Sequence, residues 1–484
     1  MQSEKSNKSQ FRLSPSLNPN RVFILQKSEL EKRFDPFFYI PELLELEKKV
    51  LAKKPKKLRD FVKSLASGAT PKTTESEKYY AEKENGIPFL RVQNLSPTGV
   101  LEFDDCKYIN EETHNGMLKR SQVSAGDLLV KITGVGRMAV ASVAPEGFEG
   151  NINQHVCVIK TGSKEISETL AAFLNSDIGE KLASRRSTGG TRPALDYPAL
   201  LSIPIIEDKR ILQITDKVIA QKQKNEAEAE KLLSSIDDYL LKELGIKLPE
   251  PPENTLKNRM FTRTLKEISN NRFDPFFHQT HFKNIYNEIS NSRYKTTSLK
   301  KVISNYSKGI EVGSSEYLQE GIPFVRVADI TDFSINLENA DKKISESKYN
   351  ELKKFYQPKI GEILYSKDGT IGLCIVVEKL EDYIISSGIL RITCNNNFNN
   401  YLLKYILSSK VYKQLAERVS IGTVIKHLTI DDWFNIPIPV PPLEKQKEIA
   451  EHITGIRQQA QQLKDQTKEL LKKASEEIER ILLK

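Results

Sequence analysis

Short runs of branched and aromatic residues recur along the chain, each bounded by Gly, Asn, Asp or Ser. The first set is IPFLRV, DLLVKIT, AVASVA and HVCVIKT; the second is IPFVRVA, EILYS, IGLCIVVE and YIISSGILRIT. That composition predicts β-strands. A helical segment follows each set, over 168–186 and 400–419. A long amphipathic helix then follows each. In the second copy it starts just after Pro441-Pro442, with apolar or small residues at Ile449, Ile453, Ile456, Ala460, Leu463, Thr467, Leu470 and Ala474. Alternating steps of four and three are the spacing of a coiled-coil seam. In the first copy the stripe runs through Ile211, Ile214 and Val218, then a polar centre near Gln221 and Asn225. It resumes at Ala229, Leu232, Ile236 and Tyr239, and Gly245 is placed to end the helix. Two narrow stripes in one chain most simply cover each other, which predicts an antiparallel coiled coil.

The chain is written twice. RFDPFF at 33–38 returns at 272–277, GIPFLRV at 86–92 as GIPFVRV at 321–327, GDLL at 126–129 as GEIL at 361–364, and SIPI at 202–205 as NIPI at 435–438. The matches keep one order and a nearly constant offset, which marks an internal duplication. The expected fold is α/β, with two mixed α+β copies each followed by a long helix. The expected parts are a disordered polar tail over 1–20, a first domain over 21–207, a first helix over 208–246, a Pro-rich linker over 247–271, a second domain over 272–442 and a second helix over 443–484. In each hexapeptide, Asp35 or Asp274 is expected to cap a helix whose first residue is Pro36 or Pro275. The DPFF core resembles the Asp-Pro-Pro-Tyr/Phe motif of amino-methyltransferases but lacks its second proline.

Composition narrows the partners. The formal net charge is +9 over 484 residues, which favours a polyanion without demanding one. Cys106, Cys157, Cys374 and Cys394 are far apart, so neither a zinc ribbon nor a disulfide framework is indicated. The polar first twenty residues lack the apolar core of a signal peptide, and no uncharged apolar run approaches the ~18 residues of a membrane span. A cytoplasmic protein is expected. Neither a Walker loop nor HExxH occurs. Gly134-Val135-Gly136 reads as a tight turn between strands. The six histidines do not form a metal set, and no metal or catalytic residue is assigned.

These motifs, in this order, resemble those of type I restriction–modification specificity subunits, from about Asn20 to Lys484. The most specific segment is IPIPVPPLEKQKEIAEHI (436–453), which looks like that family's Pro-Pro-Leu-x-x-Gln-x-x-Ile entry into its helix; the first copy reads IPIIEDKRILQITDKV without the proline pair. The resemblance implies two target-recognition domains, each reading one half of a bipartite, asymmetric site in double-stranded DNA. It implies helices that dock two modification subunits, with two motor-nuclease subunits where present. The cofactors it implies are S-adenosylmethionine, ATP and magnesium, all used by those partners; none is expected in this chain, which would be a non-catalytic subunit.

Base edges are best told apart in the major groove by Arg, Lys, Asn, Gln, Ser and Thr. Candidate DNA-binding residues in the first copy are Lys131, Thr133 and Arg137, then Asn153 and Gln154, then Thr188 and Arg192. In the second they are Lys367 and Thr370, then Ser387, then Thr423 and Lys426. Arg91 and Arg326 occupy matching strands, where a phosphate contact and a structural salt bridge fit equally. The competing functions are a self-contained methyltransferase or nuclease with fused recognition domains, and a coiled-coil adaptor with no role on DNA.

Overall fold

The structure is a computed structural model. It describes residues 13–14, 16–31, 33–250, 252–253, 255–256, 260–268, 272–331, 334–338, 340–422 and 426–484. Parts of the expected tail (1–12 and 15) and of the expected linker (251, 254, 257–259 and 269–271) lie outside the described residues. The chain divides into two compact units: Met1–Asn225 with Asp465–Lys484, and Glu226–Lys464. Each long helix therefore gives one half to each unit, a division the linear domain list does not contain.

Unit 1 holds two four-stranded sheets. In the first, strands run in the order Ser64–Ser67, Val156–Lys160, Leu128–Lys131, Ala141–Val143; in the second, Lys107–Ile109, Ile87–Leu90, Glu149–Ile152, Gln122–Ser124. Unit 2 repeats the first order with Ile303–Lys308, Ile389–Cys394, Ile363–Ser366 and Cys374–Val376. It repeats the second with Lys343–Ile344, Ile322–Val325 and Ile384–Ile385. Each unit has a parallel pair of strands, Phe89 against Asn151 and Phe324 against Ile384, at the same place in the order, and unit 2 adds an isolated parallel bridge between Ile310 and Ser386. A duplicated sequence has become a duplicated topology. The run YIISSGILRIT divides into two strands around Ser386–Gly388.

The helical segment expected in each copy is in fact a pair of helices, Lys164–Asn175 with Asp177–Arg186, and Asn400–Ser408 with Lys410–Arg418. The break is a serine. Ser176 accepts from Gly179 N and Ser409 from Tyr412 N, so each caps the second helix instead of continuing the first. Leu170, Phe173, Leu174, Ile178 and Leu182 then pack on Leu128, Val130 and Ile159 of the sheet. In unit 2, Leu402, Leu403, Ile406 and Leu415 do the same against Ile363, Tyr365 and Ile392, with Trp433 buried among them.

The repeated hexapeptide fastens the end of the second helix of each pair. Arg33 grips Asp35 through Nε and Nη2 at 2.8 and 2.7 Å, and donates to Arg186 O at 2.9 Å and Ser187 O at 2.8 Å. Arg272 grips Asp274 at 2.8 Å and donates to Ser420 O at 2.7 Å. In unit 1 the guanidinium sits on the last helical carbonyl, at the negative end of the helix, whereas in unit 2 Ser420 lies two residues beyond Arg418. Arg185 and Arg418 complete the arrangement. They lie 3.8 and 4.2 Å from the rings of Phe38 and Phe277, and each donates through Nε to the ring residue's own carbonyl at 2.8 Å. The expected helix cap is found at neither site, because residues 275–278 form a turn and not a helix. Asp274 accepts from Phe277 N at 2.8 Å, whereas Asp35 makes no cap bond to the short 3-10 helix Pro36–Tyr39.

The long helices are Lys209–Leu244 and Leu443–Leu483. Gly245, at φ +70°, ends the first where a β-carbon would be strained. In unit 1, Ile211 shares a core with Ile478 and Leu482, and Asn225 is bonded to Thr467. In unit 2, Tyr239 stacks on His452 at 4.1 Å and Glu243 pairs with Lys445 at 2.8 Å. Within each unit the contacts run in opposite sequence directions. Among the described residues no helix is long and apolar enough to cross a membrane.

Candidate nucleic-acid interface

At one end of the first sheet in each unit, three segments are laced together by main-chain hydrogen bonds. In unit 1, Ile132 N donates to His155 O at 2.9 Å, Leu195 N to Ile132 O at 2.8 Å and Gly134 N to Pro193 O at 3.0 Å. In unit 2, Lys367 N donates to Gly388 O at 2.9 Å, Leu428 N to Lys367 O at 2.9 Å and Gly369 N to Lys426 O at 2.9 Å. Thr133 bridges to Ala194 as Asp368 bridges to His427. These bonds pair the two rims residue by residue: Ile132 with Lys367, Thr133 with Asp368, His155 with Gly388, Pro193 with Lys426 and Ala194 with His427. The backbone frame is the same and the side chains differ at every one of these positions.

A fourth segment closes each rim. Thr70 donates to Gln154 Oε1 in unit 1, and Ser387 donates to Glu311 at 2.7 Å in unit 2. Both segments follow a glycine that the packing requires. A β-carbon on Gly68 would lie 1.6 Å from Ile152 O, and one on Gly309 would lie 2.3 Å from Ile385 O. Thr70 and Glu311 escaped the sequence reading. Their signal is the glycine directly after the strand that precedes the GIPF motif, Gly68 after Ser64–Ser67 and Gly309 after Ile303–Lys308.

The rims differ in electrostatics. In unit 1, Arg192 is exposed and donates through Nη2 to His155 Nε2 at 3.1 Å; Gln154 Nε2 lies 3.3 Å from the same nitrogen. Burial, and then the Arg192 charge, hold His155 below the ordinary imidazole value. The neutral ring with an accepting Nε2 is the form that fits two donors. In unit 2, Asp368 sits between Lys367 Nζ at 2.5 Å and His427 Nδ1 at 2.9 Å, leaving an exposed ring. Neither histidine was a sequence candidate.

Among the candidates, Thr133, Gln154, Thr188, Arg192, Lys367, Thr370, Ser387 and Lys426 stand on these rims. Thr188 is bridged to Ala194, and Lys426 pairs with Glu417 at 3.4 Å. Thr423 lies outside the described residues. Lys131 is buried, and its Nζ donates to Val135 O at 2.7 Å. Its counterpart is Ser366, whose Oγ donates to Thr370 O at 2.6 Å, so both residues brace the turn from beneath. Burial lowers the Lys131 pKa. Arg137 is committed to Asp177 at 2.8 Å and to the carbonyls of Asn175 and Ser176. Asn153 is buried and accepts from His155 N. Arg91 and Arg326 make matching ion pairs, to Asp105 at 3.0 Å and Asp341 at 2.8 Å.

Residues 287–473 match the family model described as the type I restriction modification DNA specificity domain. Unit 1 repeats the strand order of the matched residues in its first sheet, with the same parallel pairing and the same rim. The chain as a whole resembles type I specificity subunits. It is 22% identical over 440 residues to the type I restriction enzyme EcoBI specificity subunit of Escherichia coli, covering 88% of this chain and 84% of that one. The S subunit of the type I restriction–modification system of M. genitalium is similar at 14% identity and TM-score 0.42, covering 89% of this chain and 94% of that one. The HsdS subunit of Thermoanaerobacter tengcongensis is similar at 18% identity and TM-score 0.30, covering 88% and 94%.

Proposed function

We propose that this chain is the DNA-reading, non-catalytic subunit of a type I restriction–modification complex, with each rim reading one half of a bipartite site in double-stranded DNA. The observation that carries this reading is the pair of rims, one backbone frame bearing two sets of side chains. Two readers of different sequences need that arrangement: the frame fixes the approach to the duplex, and the side chains select base edges. Thr133, Gln154, Thr188 and Arg192 are the proposed contacts of one rim; Lys367, Thr370, Ser387 and Lys426 are those of the other.

The two long helices act in this reading as an antiparallel coiled coil. The buried stripe Ile449, Ile453, Ala460 and Thr467 on one, and Ile211, Val218, Asn225 and Ala229 on the other, supports it. Their exposed faces would dock two modification subunits, which supply methyl transfer from S-adenosylmethionine; ATP- and magnesium-dependent motor-nuclease subunits join where present.

The test compares the pure chain with the chain assembled on modification subunits. The pure chain should transfer no methyl group to DNA. The assembled complex should bind DNA with an affinity that falls linearly with salt on logarithmic axes. Methyl transfer by the pure chain would establish the self-contained enzyme instead, and an assembled complex without salt-dependent DNA binding would establish the adaptor.

A further inference from the structure

The proposed function leaves open which base any side chain reads. Arg192 is the residue whose surroundings narrow the answer. Among the described residues it takes part in no ion pair, unlike Arg91, Arg137 and Arg326 in the same family of loops. It is exposed at the rim, and its hydrogen-bond partner is a histidine ring nitrogen.

That choice of partner has consequences. A carboxylate in the same place would position the guanidinium but neutralise it. A neutral imidazole positions it and leaves the charge whole. A guanidinium has five N–H donors. One is spent on His155, and four remain, enough for the two-pronged contact to guanine O6 and N7. The backbone that carries this ring is itself fixed, because His155 O accepts from Ile132 N and His155 N donates to Asn153 Oδ1 at 3.1 Å, and Gln154 Nε2 lies 3.3 Å from the same ring nitrogen. A planar fork held in one orientation matches a guanine edge as well as a phosphate, and only the base contact makes the loss on its removal specific to one base pair. The corresponding rim of unit 2 places a carboxylate, Asp368, beside its histidine, so the two rims offer different chemistry to the two half-sites.

We propose that Arg192 reads a guanine in the half-site contacted by unit 1, with His155 as its positioning residue. The inference rests on the proposed function, and the experiment separates the two. The complex of this chain with its modification subunits is assembled, and its methylated motif is read by sequencing. Absence of any methylated bipartite motif with the unaltered chain would bring down the proposed function itself. With that motif in hand, Arg192→Ala should relax one guanine·cytosine pair in one half-site, lowering discrimination there by ~5- to 150-fold, and leave the other half unchanged. Arg192→Lys keeps the charge without the fork and should not restore the discrimination. His155→Ala should relax the same pair, and His155→Gln, which keeps an acceptor, should restore it in part. An unaltered motif in Arg192→Ala would overturn the inference and leave the proposed function standing. So would a uniform loss of affinity with a salt slope shallower by about one, the mark of a phosphate contact.

Discussion

Asn225 Nδ2 donates to Thr467 Oγ1 at 3.0 Å, and both side chains are buried where the two long helices meet. Gln221 in turn donates to Asn225 Oδ1 at 2.7 Å. A polar pair inside an apolar seam contributes less stability than aliphatic packing but penalises every other register. Asn225→Ala should therefore cost ~1–2 kcal/mol in chemical denaturation. The double change Asn225→Leu with Thr467→Val should be neutral or stabilising, because it removes both partners together. A double variant less stable than Asn225→Ala would show that the pair is not a register device.

A second pair of elements is joined by charge. Arg185 and Arg186 both bind the Glu47 carboxylate, tying helix Pro41–Leu51 to helix Asp177–Arg186. Burial pulls both guanidinium pKa values down to about 10. Removing the carboxylate leaves two desolvated cations. Glu47→Ala should cost unit 1 ~3–5 kcal/mol, measured as a lower denaturant midpoint, while Glu45→Ala on the exposed face should change little.

The hexapeptide RFDPFF should act on recognition without touching DNA. Arg33 holds the carbonyls of Arg186 and Ser187, which are the root of the 188–192 segment of the rim. Arg33→Ala should weaken discrimination in the half-site read by unit 1 only; Arg272→Ala should do the same for unit 2 only through Ser420. Motif sequencing of each variant reads this directly. A change in both halves from either variant would contradict it.

The duplication and the seam were legible in the sequence for a physical reason. RFDPFF is repeated because the same helix end needs the same arginine clamp, and the stripe from Ile449 to Ala474 is repeated in spacing because both helices bury one face. Ser176 and Ser409 were not legible as breaks, since a serine inside an apolar helical pattern reads as a tolerated residue until its cap bond is seen. The rim candidates were found only in part. Lys131 and Lys367 share a residue type and neighbouring places in their turns, yet the main-chain bonds pair Lys367 with Ile132 and Lys131 with Ser366. Burial of a lysine beneath its own turn leaves no mark in the sequence. His155 and His427 are not legible as rim residues, because neither stands in a metal-ligand pattern; each instead orients a neighbour through one ring nitrogen.

The His155 contact carries a pH dependence of known sign. Its folded pKa lies below the ordinary imidazole value of about 6.5, through burial first and Arg192 second. Well above 6.5 the ring is neutral folded or unfolded, and the contact has its full strength. As pH falls below 6.5 toward the lowered value, protonation becomes favourable in the unfolded chain before it does in the folded one, and the contact's contribution is lost. Discrimination at the Arg192 position should therefore fall on acidification. His155→Gln, which has no proton to gain, should show a flatter profile; equal profiles in competition binding would count against this role.

The two rims should read independently. The most direct measurement replaces residues 21–207 with the corresponding segment of a relative, keeps both long helices, and sequences the methylated motif made with the modification subunits. One half of the motif should take on a new sequence while the other half is retained. A motif in which both halves change together, or neither changes, would contradict it.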